Sequence, residues 1–146
     1  MSSGTKESVR IDASPGEVLD VIVDVESYPQ WSPDMKQVSI LEDEDGWPRR
    51  VRFTVDAGVV SDTYVLEYDW DVDEDGAGEV SWTLVESAKL RSLDGQYVIE
   101  ADDEGTMVTY SLTVDVAVPL PGMLRRKAEK SIVSTALTGL RRRVQG

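Results

Sequence analysis

The sequence predicts an α+β domain: a curved antiparallel sheet of about seven strands wrapped on a long C-terminal helix, with two short helices after the first strand. Three observations lead there. The hydrophobic period changes from near four to two after about residue 35 and stays at two until about residue 116. The alternating stretches are separated by short Asp-Gly, Glu-Gly and acidic, glycine-rich turn signals, which suit antiparallel neighbours. From Gly122 onward the spacing becomes helical again and stays so to the end.

Glu7 to Ile11 reads as a short first strand. Ser14-Pro15-Gly16-Glu17 is a helix start: Ser14 can cap, Pro15 suits the first helical position, and Glu17 completes a capping box. Val18, Leu19, Val21, Ile22 and Val25 continue at helical spacing, and Tyr28-Pro29 is expected to end that helix. Gln30 to Asp34, centred on Trp31, reads as a second short helix or turn. Lys36 to Leu41 is a strand, followed by a hairpin turn at Asp45-Gly46.

Val51, Phe53 and Val55 then share one face, and Gly58 breaks the pattern. Tyr64, Leu66, Tyr68 and Trp70 form the next apolar face, Asp71 to Gly78 a turn, and Val80, Trp82 and Leu84 another face. Asp94-Gly95 is expected to turn the chain into a strand carrying Tyr97, Ile99 and Ala101. After Glu104-Gly105, Val108, Tyr110, Leu112, Val114 and Val116 face one way. Such alternation implies a sheet with one wet face. Pro119 and Pro121 stop it. In the last helix Leu124, Ala128, Ile132, Ala136, Leu140 and Val144 form an i, i+4 ladder, widened by Val133 and Leu137. One helix across one curved sheet cannot fill the space beneath it uniformly.

The 146 residues suit one domain, residues 1–146, with no repeat or composition break. No apolar run reaches the roughly 18 to 20 residues of a membrane span, and the polar N-terminus lacks a signal-peptide core, so a cytoplasmic location is expected. Without cysteine and histidine, thiolate nucleophiles, disulfides, imidazole bases and Ser-His-Asp catalysis are excluded. The net charge of −13 is lopsided: residues 121–146 carry +6 and residues 1–120 carry −19. So acidic a body predicts no nucleic-acid binding. The basic helix reads as a solvated outer face that also permits transient contact with an anionic membrane or partner.

Trp31, Phe53, Tyr64, Tyr68, Trp82, Tyr97 and Tyr110 mostly occupy apolar strand faces, with Trp31 in the loop between helices. They pack a core, or they line a cavity in which phenol hydroxyls give an apolar ligand a few polar contacts. Asp71 to Gly76 imitates the start of a calcium loop, but the twelfth position is Trp82 where a bidentate Glu is required, so no metal is expected. No carboxylate is flanked by hydrophobics on an apolar strand face. Asp24, Glu26 and Glu86 come nearest and read as surface charges. No phosphate loop or nucleophile elbow is present, and no cofactor is expected.

Ile11 to Val18 (IDASPGEV), Asp24 to Trp31 (DVESYPQW), Gly105 to Tyr110 (GTMVTY) and Pro119 to Gly122 (PLPG), in this order and spacing, resemble the START-like (SRPBCC) superfamily, near its polyketide cyclase/dehydrase and coenzyme Q-binding branch. The resemblance runs from about Ser8 to Val144. It implies a helix-grip fold with a tunnel between sheet and last helix, and a hydrophobic small-molecule ligand: lipid, isoprenoid quinone or polyketide. By position it puts Trp31 and Tyr28 near the mouth, and Leu124, Ala128 and Ile132 on the helix side. Three functions compete: a carrier holding its ligand by apolar burial, an aromatase/cyclase or dehydratase using tyrosine and carboxylate groups, and an interaction module acting through the basic helix.

Overall fold

A computed structural model describes residues 4–56, 61–117 and 121–146. The chain runs β1 (Thr5–Ile11), α1 (Pro15–Val23), a 3₁₀ turn (Val25–Gln30), β2 (Met35–Glu44), β3 (Trp47–Asp56), β4 (Ser61–Val72), β5 (Gly78–Ser87), β6 (Leu90–Asp102), β7 (Gly105–Val116) and α2 (Gly122–Gln145). The strands form one sheet in the order β1-β7-β6-β5-β4-β3-β2, every neighbour antiparallel. Strands β2 to β7 are a meander, and β1 closes its far edge by pairing Val9 with Val108 and Ile11 with Thr106.

Local chemistry explains most boundaries. The Ser14 Oγ accepts a hydrogen bond from the Glu17 N–H at 3.3 Å and donates to the Glu17 carboxylate at 3.1 Å, fixing the start of α1. Helix α1 ends at Val23, and the second short helix begins two residues later, earlier than the proline at 29 suggests. Tyr28 is the reason: its hydroxyl donates to the Ile22 carbonyl at 2.5 Å, tying the 3₁₀ turn back to the end of α1. Gln30 ends the 3₁₀ turn, and Trp31 to Asp34 takes the turn form of the two the sequence allowed. Asp45 and Gly46 both have positive φ, as a two-residue type I′ hairpin requires.

Asp94-Gly95 does not turn the chain. Both residues lie inside β6, and the turn comes earlier, between Ser87 and Leu90. A side chain at Gly95 would fall inside van der Waals contact of the Trp82 indole, so this glycine clears space for a ring on the neighbouring strand. The breaks expected at Gly58 and Pro119 lie outside the described residues.

Seven strands about 4.8 Å apart make a sheet roughly 29 Å wide, whereas a helix with its side chains is about 10–12 Å across. Helix α2 therefore covers two or three strands. It packs on β1, β7 and α1. Its seated line is Glu129, Val133, Leu137 and Leu140, with Ala136 and Val144 half-buried beside them. The i, i+4 ladder expected to face the core turns out to be a spiral. Each step of four advances about 40° around a helix of 3.6 residues per turn. The ladder thus meets the sheet at Leu140 and leaves Leu124, Ala128 and Ile132 exposed on the flank.

The seated line also contains a carboxylate, in a helix whose charges the sequence reads as a solvated outer face. Glu129 is 2% exposed. It accepts hydrogen bonds from the Val114 N–H at 2.7 Å and the Thr5 hydroxyl at 3.3 Å. Strand β1 pairs with β7 only as far as Leu112, so Glu129 satisfies an N–H that the sheet leaves unpaired. One turn further on, the Ser134 hydroxyl donates to Glu7 of β1 at 3.3 Å. Replacing Glu129 by Leu strands the Val114 donor and is expected to lower stability by about 1–3 kcal/mol in chemical denaturation. Glu129→Gln keeps an acceptor oxygen and is expected to lose less than half of that.

Candidate functional site

On the concave face, every aromatic residue of the chain, four Trp, five Tyr and one Phe, belongs to one connected set of ring contacts. Alternation puts them there: Phe53 on β3, Tyr64 and Tyr68 on β4, Trp82 on β5, Tyr97 on β6 and Tyr110 on β7 point to the same side. Phe53 stacks on Tyr64 at 5.7 Å between centroids, and Tyr68 meets Trp82 at 5.5 Å. Trp82 in turn meets Tyr97 at 5.3 Å and, edge-on, Tyr110 at 5.6 Å. Trp31 joins from the loop, T-shaped on Tyr28 at 5.1 Å, and Tyr28 stacks on Phe53. The Trp47–Trp70 pair extends the set past Tyr68, anchored by the Trp70 N–H on the Pro48 carbonyl.

The structure thus brings together all seven aromatic candidates and adds Tyr28, which the sequence placed near the mouth only through the family resemblance. Phe53, Tyr68, Trp82, Tyr97 and Tyr110 are buried; Tyr64 and Trp31 are half-buried. Leu124, Ala128 and Ile132 lie apart from this set, exposed on α2. Their flank is nevertheless the one that meets Trp31. Gly139 of α2 lies against the Trp31 ring, and Ile132 and Ala128 precede it by about two and three helical turns, on the same side within about 20°.

Electrostatics on this face are uniform in sign. Burial pushes all five phenols above the ordinary tyrosine value. Neighbouring phenols push Tyr28, Tyr68, Tyr97 and Tyr110 further, and Asp62 does the same for Tyr64. A hydrogen bond with Tyr28 offsets part of the shift at Tyr68. At neutral pH the face therefore presents neutral hydroxyls. They can donate hydrogen bonds, but they are poor bases.

Other candidate chemistry stays at the surface. Asp24 accepts from Ser27, and Glu26 and Glu86 are exposed. The Asp71 to Gly76 stretch is a hairpin tip, closed by the Asp73 N–H on the Ala77 carbonyl, and its Gly76 abuts the start of α1. Among the described residues no cluster of three or more acidic side chains is arranged to hold a metal ion. A depression of about 270 Å³ beside Glu67, Asp69, Ser81 and Thr83 lies among the polar positions of β4 and β5. Among the described residues no helix is long and apolar enough to cross a membrane.

The raised phenols set a pH dependence. The folded pKa values lie above the unfolded value of about 10, so the folded state holds more protons than the unfolded state once the pH passes that value. Their stabilising contribution is complete below pH 10 and falls as pH rises further. Absorbance at 295 nm between pH 9 and 12 is expected to show no tyrosinate until the chain unfolds. Phenolate appearing near pH 10 in a still-folded protein would contradict the burial described above.

Residues 11–141 match the family described as polyketide cyclase / dehydrase and lipid transport. No curated protein matches the sequence. Among solved structures, a START superfamily protein from Mycobacterium smegmatis superposes with a TM-score of 0.87 at 22% identity, over 97% of each chain. The Zhui aromatase/cyclase from a Streptomyces species gives 0.81 at 17% identity, over 99% of this chain and 94% of that one. A STAR-related lipid transfer protein from Xanthomonas axonopodis gives 0.76 at 21% identity, over 98% and 86%. The likeness to these structures is one of fold: seven antiparallel strands curved around a C-terminal helix. With the family match covering most of its length, the chain belongs to the polyketide cyclase / dehydrase and lipid transport family.

Proposed function

We propose that this protein binds and carries an apolar small molecule between the aromatic face of β3–β7 and the flank of α2 that meets Trp31. The observation that carries the reading is the connected aromatic face, which offers rings and neutral hydroxyls and no buried lysine or arginine among the described residues. Enclosing about 300 Å² of a ligand's apolar surface contributes about 7 kcal/mol, against which ordering costs are set. That is enough for a carrier without any covalent step. The lateral seat of α2 on β1 and β7 supports it, because over β3–β5 the cover comes from aromatic side chains rather than from the helix. So does the family, whose description includes lipid transport.

The exposed Met123 and Leu124 stand beside Arg126, Lys127 and Lys130 at the start of α2. This pairing supports brief contact with an anionic membrane during loading.

One observation favours a second reading, cyclisation of a reactive acyl chain: the neutral phenols can polarise carbonyls, and an aromatase/cyclase shares the fold. The two readings part on turnover. A carrier returns its ligand unchanged, whereas a cyclase converts an activated polyketide chain, and replacing Tyr97 and Tyr110 by Phe would then abolish the rate.

The carrier reading is tested with N-phenyl-1-naphthylamine, a neutral fluorescent probe. Saturable binding near one equivalent is expected for the native protein. Ala128→Trp is expected to fold normally, since the side chain is exposed, and to weaken the probe by about tenfold or more, a loss of about 1.4 kcal/mol or more. Unchanged affinity in that folded variant would put the opening away from this flank.

A further inference from the structure

Among the described residues, one buried side-chain polar atom lacks a hydrogen-bond partner: Nε1 of Trp31. Buried donors are satisfied as a rule, because leaving one unpaired costs about 1–3 kcal/mol. The tryptophan is otherwise well fixed. Its ring sits edge-on against Tyr28. The six-membered ring, at Cε3 and Cζ3, lies against Gly139 of α2, where even a methyl group would be tight. In an indole the N–H projects from the edge diagonally opposite Cε3. The donor therefore sits on the ring edge opposite the Gly139 contact, at the end of the ring series that runs through Tyr28 and Phe53 to β4.

We infer that the Trp31 N–H is the polar anchor of the ligand site, and that the ligand class is an apolar molecule carrying a neutral hydrogen-bond acceptor such as a ketone, quinone or ester carbonyl. The inference rests on the carrier reading and names the chemistry it requires. Neutrality follows from charge. A carboxylate or phosphate brought to this donor would be desolvated without a counter-ion, since no lysine or arginine is buried among the described residues. The segment that carries Trp31 and the aromatic strands, residues 1–120, adds a formal −19 of its own, while the basic side chains of α2 stay out of the core, Arg143 being exposed on Gln30. A carbonyl meets neither penalty and satisfies the orphan donor. A plain hydrocarbon would occupy the same rings and leave the N–H unpaired.

A matched pair of probes separates these cases: 2-methyl-1,4-naphthoquinone, which carries carbonyls, and 2-methylnaphthalene, which does not. Calorimetry on the full chain is expected to show the quinone binding about 3- to 10-fold more tightly, the range of one net neutral hydrogen bond. In Trp31→Phe the preference should vanish, the two probes binding that variant with equal affinity. In the unmutated protein, the indole N–H signal assigned to Trp31 through its ring's contact with Tyr28 should move downfield with quinone and stay in place with the hydrocarbon. This second measurement decides the matter even if Trp31→Phe folds poorly. Equal affinities with an unmoved indole signal overturn the anchor and leave the carrier reading intact. Binding of neither probe overturns the carrier reading, and the anchor with it.

Discussion

A single helix has to serve a sheet more than twice its width, and the rest of the structure follows from that mismatch. Helix α2 settles at one side, over β1 and β7, where Val133, Leu137 and Leu140 meet the sheet and Glu129 satisfies the Val114 N–H of β7, beyond the end of the β1 pairing. Strands β3 to β5 gain little cover from it. Their concave positions carry the largest side chains available, and those rings cover one another instead. Aromatic rings suit this task because each spans much of the gap between strands and meets its neighbours at favourable tilted or edge-on angles. Even the backbone conforms, with Gly95 giving its side-chain space to Trp82.

The same mismatch links fold to function. A face lined with rings and neutral phenols is apolar in bulk and polar at a few points, the usual composition of a small-molecule site. The family to which the chain belongs uses this architecture for lipid transport and for cyclases and dehydrases. What distinguishes one use from another is the chemistry carried on the face. Here the phenols are held protonated by burial, histidine is absent, and the buried carboxylate Glu129 is occupied with backbone and hydroxyl donors. Those features suit holding a ligand better than transforming one.

The run of alternating strands, the Asp45-Gly46 hairpin and the α1 cap were legible in the sequence because each depends on neighbours in the chain. Alternation names a strand's inner face without its partner, so Phe53, Tyr64, Tyr68, Trp82, Tyr97 and Tyr110 read as inner-face residues from the sequence alone. Two errors share a different cause. Asp94-Gly95 resembles a turn locally, and only the adjacent Trp82 reveals why a glycine is needed inside a strand. The ladder through Leu124, Ala128 and Ile132 is apolar at steps of four, but a helix seat alternates steps of three and four. Glu129 fits that mixed spacing with Val133, Leu137 and Leu140, a signal present in the sequence and masked by the residue's charge. The unpaired Trp31 donor had no sequence signal, since it depends on what surrounds the ring in space.

The central claim, an apolar ligand held between the aromatic face and α2, is tested most directly by native mass spectrometry of freshly purified protein, with organic extraction to identify what it carries. The account predicts one bound molecule per chain, neutral and predominantly apolar, released intact on extraction. A charged, water-soluble ligand on the chain would contradict it.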